Sequence, residues 1–232
     1  MKNSALLMGA AALAVIAYVP KAAAQDWSGG YVGARADWTQ GSVDYANPGT
    51  PEQDELNGGF MGLQAGYNFD VGPLVVGARG SAEWGNATQT VRDGNYITES
   101  GTLSSVYTLA MIVGIPLGGG ALLYGEVGKS WADLEQQEQC PDPAAVPFGF
   151  CRPAAGHAPF NLSESQLVSG NTFGGGIEFR LAGNWTLALE YSQTDYDDES
   201  YVLSPDASGN ALPASVAQLD DRRVGVALNW HF

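Results

Sequence analysis

From residue 31 onward the chain alternates. "YVGARADW" sets Val32, Ala34, Ala36 and Trp38 against Tyr31, Gly33, Arg35 and Asp37. "FMGLQAGYNFD" sets Met61, Leu63, Ala65, Tyr67 and Phe69 against Gly62, Gln64, Gly66, Asn68 and Asp70. "LVVGARGSAEW" sets Leu74, Val76, Ala78, Ala82 and Trp84 against Gly77, Arg79, Ser81 and Glu83, and "TLSSVYTLAMIVGI" sets Leu103, Tyr107, Leu109, Met111, Val113 and Ile115 against Thr102, Ser104, Thr108, Ala110 and Gly114. "ALLYGEVGKSW" sets Leu123, Val127 and Trp131 against Tyr124, Glu126, Gly128 and Ser130, with Lys129 on the apolar side. "TFGGGIEFRL" sets Phe173, Ile177, Phe179 and Leu181 against Thr172, Gly174, Gly176, Glu178 and Arg180, and "WTLALEYS" sets Trp185, Leu187, Leu189 and Tyr191 against Thr186, Ala188, Glu190 and Ser192. The closing "RRVGVALNWHF" sets Val224, Val226, Leu228, Trp230 and Phe232 against Arg223, Gly225, Ala227, Asn229 and His231. A period of two places successive side chains on opposite faces of a strand, so eight two-sided strands are expected and no helical stripe competes with them.

The connections order the strands. "DVGP", "PLGGG" and "AGN" are tight turns of Gly, Pro and Asn, and they join strands two to three, four to five and six to seven. The remaining connections, about residues 40–57, 85–101, 133–167 and 193–220, are long. Strict alternation of short and long predicts an all-β, eight-stranded antiparallel up-and-down barrel. A soluble barrel of lipocalin type would turn its apolar set inward, whereas a membrane barrel turns it outward. Here the apolar sets carry Trp38, Trp84, Trp131, Trp185, Tyr191, Trp230 and Phe232, as an aromatic girdle should. The other sets mix small residues with charges of both signs, which suits a narrow interior. A transmembrane barrel is therefore expected, with a last strand that faces lipid and pairs with the first, since an open edge in a bilayer would strand backbone polar groups. Lys129 is expected to snorkel to headgroups.

The N-terminus agrees. "MKNSALLMGAAALAVIAYVPKAAAQ" has a basic start, an apolar run too short to span a bilayer, and an Ala-rich cleavage site. Residues 1–24 are expected to be a cleaved signal peptide and 25–232 the exported barrel. The 232-residue chain has a formal net charge of −15. Without Lys2 and Lys21, eight basic residues face 25 acidic ones, giving −17. Such acidity excludes the basic footprint that nucleic acid requires. The two cysteines, Cys140 and Cys151, flank a Pro- and Gly-rich loop and would form a disulfide in an oxidising compartment.

The segments "DWSGGYVGARADW", "GGFMGLQAGYNFDVGPLVVGARGSAEW", "LYGEVGKSWA", "TFGGGIEFRLAGNWTLALEYSQTDY" and "VGVALNWHF" resemble small outer-membrane β-barrel proteins of Gram-negative bacteria, above all the porin-like and opacity-type surface proteins of α-proteobacteria. These share the eight-stranded shape of the OmpA barrel. The resemblance runs along the whole mature chain. It implies an outer-membrane location, contact with outer-membrane lipids and lipopolysaccharide, and loops that mediate adhesion or contact with host or environmental surfaces. It also implies that Trp230 and terminal Phe232 form the signal read by the barrel-assembly machinery, and that the barrel is a monomer. The resemblance does not extend to a peptidoglycan-binding domain, so cell-wall anchoring is not carried over as an expectation.

The candidate chemistry lies mainly inside. Arg35, Asp37, Arg79, Glu83, Glu126, Glu178, Arg180, Glu190 and Arg223 are expected to form a charge network in the lumen. Eight strands leave an interior just wide enough for side chains, which favours a paired polar plug over a gate or a narrow channel. Outside, acidic "TDYDDES" and "PEQDE" lack the Gly and terminal Glu of an EF-hand, so a solvated surface is expected rather than a Ca²⁺ site. A lipid A-modifying enzyme is the remaining alternative. Its only histidines would be His157, near Ser163 and Glu164 in sequence, and His231, and no G-x-S-x-G elbow exists. No catalytic residue, cofactor or metal is expected.

Overall fold

The computed structural model describes residues 26–45, 55–92, 98–117, 120–140, 160–197, 199–201 and 215–232. They form one antiparallel sheet: β1 (Gly29–Tyr45), β2 (Glu55–Val71), β3 (Leu74–Arg92), β4 (Thr98–Leu117), β5 (Ala121–Cys140), β6 (Phe160–Arg180), β7 (Trp185–Tyr196), β8 (Glu199–Tyr201) and β9 (Ser215–His231). From β1 to β7 each strand pairs with the next, β7 pairs with β9, and β9 returns to β1 from Tyr31↔His231 to Tyr45↔Ala217, closing the barrel. β7 and β8 are two pieces of one stave, because β9 pairs with both and its register slips by one between Asp195↔Asp220 and Glu199↔Ala217. The architecture is the expected eight-stranded up-and-down barrel. Gly72 and Gly183 adopt φ of 64° and 67° in the tight turns, a conformation that favours glycine.

The strands run well past the alternating segments that predicted them. β6 has 21 residues and β4 and β5 have 20 each, whereas a bilayer needs about 9–11. They therefore occupy much of the sequence expected to be loop at 40–57, 85–101 and 133–167. The apolar face ends at Trp38 on β1 and Val224 on β9. Beyond these, exposed Gln40, Arg222 and Asp220 continue the outer face. The outer face is polar there, so the apolar-out alternation disappears while the ladder continues.

The outer face is apolar within that band. Met61, Leu63, Met111, Leu109, Phe173 and Val224 are all more than half exposed, while Arg35, Arg79, Glu83 and Arg223 are buried. This inversion is what a lipid-facing barrel requires. Trp38 and Trp84 stand at the loop end of the band, and Trp185, Trp230 and Phe232 at the turn end. The terminal aromatics touch, with ring centroids 5.3 Å apart, and the Phe232 amide donates to the Gly30 carbonyl at 2.9 Å.

One face assignment is corrected. Leu103 does not join the outward set of β4 but is fully buried. The register of β4 shifts on both sides between Leu103 and Ser105, and Ser105 and Val106 are both buried. This bulge reverses the phase of the strand, so Leu103 turns inward while Tyr107, Leu109, Met111 and Val113 stay outward.

The expected signal peptide, residues 1–24, lies outside the described residues. So do Cys151 and the side chain of Cys140, and with them the expected disulfide.

Candidate functional site

The lumen is built in three tiers. The middle tier is ionic. Arg35 grips Asp37 with two nitrogens, at 2.9 and 2.7 Å, and lies 3.4 Å from both Glu83 and Glu190. Arg79 pairs with Glu126 and Glu190. Arg223 bonds Glu83 at 2.8 Å and Asp221 at 2.5 Å. All of these side chains are at least nine-tenths buried. Strands β1, β3, β5, β7 and β9 each project at least one charge to the same level, because alternate positions of neighbouring strands face one axis.

Three guanidinium groups meet five carboxylates in this tier, and neutral donors supply further bonds. Thr39 donates to Asp221, Tyr124 to Glu190, and Ser81 to Glu83 at 3.0 Å. An arc of hydroxyls, Thr108, Ser130, Thr172 and Thr194, lies across β4 to β7 with spacings of 2.7, 2.6 and 2.8 Å. A cavity of about 10 Å³ lies among Arg35, Arg79, Glu83, Glu126 and Arg223, no more than the room of one water molecule. Glycine makes this packing possible. A Cβ at Gly225 would strike the Asp37 carboxylate, and one at Gly176 would lie 2.9 Å from the Tyr124 hydroxyl.

Seven of the nine charged residues expected in the network thus come together in the middle tier. Glu178 joins only through a relay. Arg35 donates to Gln64 at 3.4 Å, Gln64 to Asn229 at 2.7 Å, and Asn229 to Glu178 at 2.9 Å. Arg180 does not join at all. It lies at the mouth of the turn end, bonds the Asp26 carbonyl, and covers the Trp27 ring at 4.5 Å. As the residue next to the turn, it is too far down its strand to reach the middle. Asp221 was missed, although it lies two residues before Arg223 and therefore on the same face.

Each outer tier is built around an apolar cluster. Toward the turn end, Trp27, Val75, Ile112, Leu122 and Tyr124 cluster across the lumen. Trp27 precedes β1 and turns into the barrel, where its amide donates to Asp70 at 2.9 Å. His231 sits beside it, stacked on Tyr31 at 5.2 Å and 3.3 Å from Glu178. The Ser28 amide donates to Asp26 at 2.9 Å and holds that carboxyl below its ordinary pKa. Toward the loop end, Leu56, Phe60, Leu103, Val106, Leu134, Val168, Tyr196 and Leu219 belong to a second cluster. The Phe60 ring carries the Arg223 guanidinium at 4.9 Å. Consecutive apolar residues were the available signal. "LAMIV" at 109–113, "LVV" at 74–76 and "LL" at 122–123 are apolar on both faces of their strands.

The other candidate groups do not converge. Lys129 is 45 % exposed on the lipid side and lies 3.8 Å from Asp197. Ser163 and Glu164 are neighbours on one strand and so point to opposite faces. His157, Glu52, Asp54 and Asp198 lie outside the described residues. Asp195 faces outward against Gln193. Among the described residues no three of the His, Cys, Asp and Glu side chains are grouped to hold a metal ion.

The outer membrane protein beta-barrel domain model matches residues 8–232. A 31 kDa outer-membrane immunogenic protein of Brucella melitensis biotype 1 is 25 % identical over 220 residues, covering 89 % of this chain and 84 % of that protein. A 22 kDa outer membrane protein of Rhizobium leguminosarum bv. viciae is 26 % identical over 185 residues, covering 79 % and 71 %. Among solved structures, Neisserial surface protein A aligns over 88 % of this chain and 98 % of its own, with a TM-score of 0.47 and 12 % identity. An inverted barrel with a packed lumen and this match along nearly its whole length lead to one assignment: the chain belongs to the outer membrane protein β-barrel domain family and is an integral outer-membrane protein.

Proposed function

We propose that the barrel is a sealed, non-conducting and non-enzymatic scaffold. It anchors in lipid and lipopolysaccharide and holds its loop end outside the cell for contact with host or environmental surfaces. The observation that carries this reading is the paired ionic tier closed at both ends by apolar clusters. Ion passage needs a continuous wet path, and here a hydrated ion would meet an apolar tier, a bonded network and a second apolar tier. Contact is left to the outer ends of the strands and their connections. The immunogenic character in the name of the Brucella relative fits a surface-exposed protein. Trp230 and Phe232, exposed on the final strand, are available to the barrel-assembly machinery, and Lys129 and Arg222 stand at the upper margin of the lipid band, where lipopolysaccharide phosphates lie.

The test is single-channel recording of the refolded chain in planar bilayers, with folding confirmed by heat-shifted gel mobility. A silent bilayer is expected. Steady conductance steps that change when Glu83 or Arg223 is neutralised would establish a narrow channel instead. Altered lipid A mass on expression would establish an enzyme.

A further inference from the structure

Among the described residues the barrel wall is open beside the start of β6, at the loop end. β6 pairs with β5 along its whole length, from Cys140↔Phe160 to Ala121↔Phe179. On its other side, pairing with β7 begins only at Gly170↔Tyr196, and one further bond runs from the Asp197 amide to the Ser169 carbonyl at 2.8 Å. β8 continues the β7 stave but pairs with β9 alone. Among the described residues, no strand pairs with this side of β6 from Phe160 to Val168.

The Asp197–Ser169 bond fixes which groups face the gap. In an antiparallel ladder the amide and carbonyl of one residue point to the same side, and alternate residues point to opposite sides. Ser169 points toward β7, so Leu167, Ser165, Ser163 and Asn161 each turn one donor and one acceptor into the gap. Their side chains are exposed on the outer face, Leu167 by 58 %. Open edges are usually blunted by lysine, proline or a bulge. "NLSESQLV" at 161–168 has none of these, and its register against β5 is unbroken.

We propose that this edge of β6, at residues 161–167 above the lipid band, takes up an extended, cationic polypeptide segment by strand addition. A row of backbone groups that no described strand pairs with calls for a β-strand as occupant. The charge calls for a basic one. Glu135 stands exposed across β5 from Ser165, Glu164 lies on the edge strand itself, and exposed Asp197 marks the foot of the gap. A second copy of the chain, with its own formal charge of −15, would bring the same acidic edge and be repelled. The inference deepens the surface-contact reading above. It is tested by binding alone, so its failure is separate from any result on conductance.

The probe is a short fluorescent peptide of alternating threonine and lysine, titrated by anisotropy against the refolded full chain in detergent micelles. Its control has the same sequence with alternate amides N-methylated, which keeps the charge and removes the ladder donors. The unmodified peptide is expected to bind at least about tenfold more tightly than the control, a difference of about 1.4 kcal/mol. Ser165→Pro is expected to weaken it by a similar factor without changing heat-shifted mobility, because the lost donor faces the gap and not β5. Ser165→Thr keeps the donor and should keep the binding. Equal binding of the two peptides would reduce the effect to charge and overturn the proposal, as would absence of binding. A dimer in sedimentation that Ser165→Pro dissolves would also overturn it, by making a second copy the occupant.

Discussion

The ionic middle of the lumen and the apolar tiers above and below it fill the same cylinder by opposite means. The middle holds Arg35, Arg79 and Arg223 among five carboxylates and is shut by the ion pairs between them. The outer tiers hold side chains such as Leu122 and Leu134, each 1 % exposed, and are shut by apolar packing. A charge network between two apolar layers is screened from water at both ends. This strengthens each pairing, and it also makes the loss of one partner expensive. Burying ions is weak evidence for stability in itself. The contrast therefore assigns specificity of register to the middle tier and closure to the outer ones.

The largest effect is expected where one cation serves two anions. Arg79→Met removes the cation shared by Glu126 and Glu190, and leaves Glu126 buried without its ion pair beside Glu190, which keeps Arg35 at 3.4 Å. Loss of about 4 kcal/mol is expected in denaturant unfolding of the barrel in lipid vesicles. Adding Glu126→Gln to that variant should restore part of the loss, and the double-mutant cycle measures the coupling. A loss below about 1 kcal/mol would mean that water reaches this tier, and the contrast with the outer tiers would collapse.

Next come the apolar tiers. Leu134→Ala toward the loop end and Leu122→Ala toward the turn end should each cost about 3 kcal/mol through lost contact and a residual cavity. The two sites belong to separate clusters, so their effects should add. Planar-bilayer recording sharpens the comparison. Either substitution alone should leave the bilayer silent, because the opposite tier and the network remain. Conductance from the Leu122→Ala barrel would show that the turn-end tier alone had been holding the lumen shut.

How far this was legible in the sequence differs between the tiers. Arg35, Glu83 and Arg223 stand out because a charge among small residues on one face of an alternating strand has few other places to go. Asp221 was hidden by the polar outer face above Val224, which ended the visible alternation one step too early. The apolar tiers were harder to see. Ile112 and Leu122 sit on the inward phase, but lipid-facing Met111, Val113 and Leu123 stand next to them, so the runs read as uniformly apolar. Leu56 falls before the alternating pattern begins, and Phe60 only opens it. Leu103 was assigned to the wrong face because a bulge reverses phase without marking the sequence. The open edge of β6 was invisible because it depends on where β7 stops pairing, and a period of two carries no information about a neighbour's length.

The smallest effect separates neutral hydrogen bonding from ion pairing within the middle tier itself. Thr172 stands between Ser130 and Thr194 in the hydroxyl arc, at 2.6 and 2.8 Å, and is buried. Thr172→Val keeps the shape and removes the central link. The neighbours are hydroxyls, which can rotate toward other acceptors, and Ser130 retains Thr108 at 2.7 Å. A loss of about 1 kcal/mol is therefore expected, well below that of Arg79→Met. Equal losses from the two substitutions would mean that the arc and the ion pairs form one cooperative network, in which a neutral link counts as much as a charged one. A loss near 1 kcal/mol, with the bilayer still silent, would leave the guanidinium groups as the elements that fix how the staves meet.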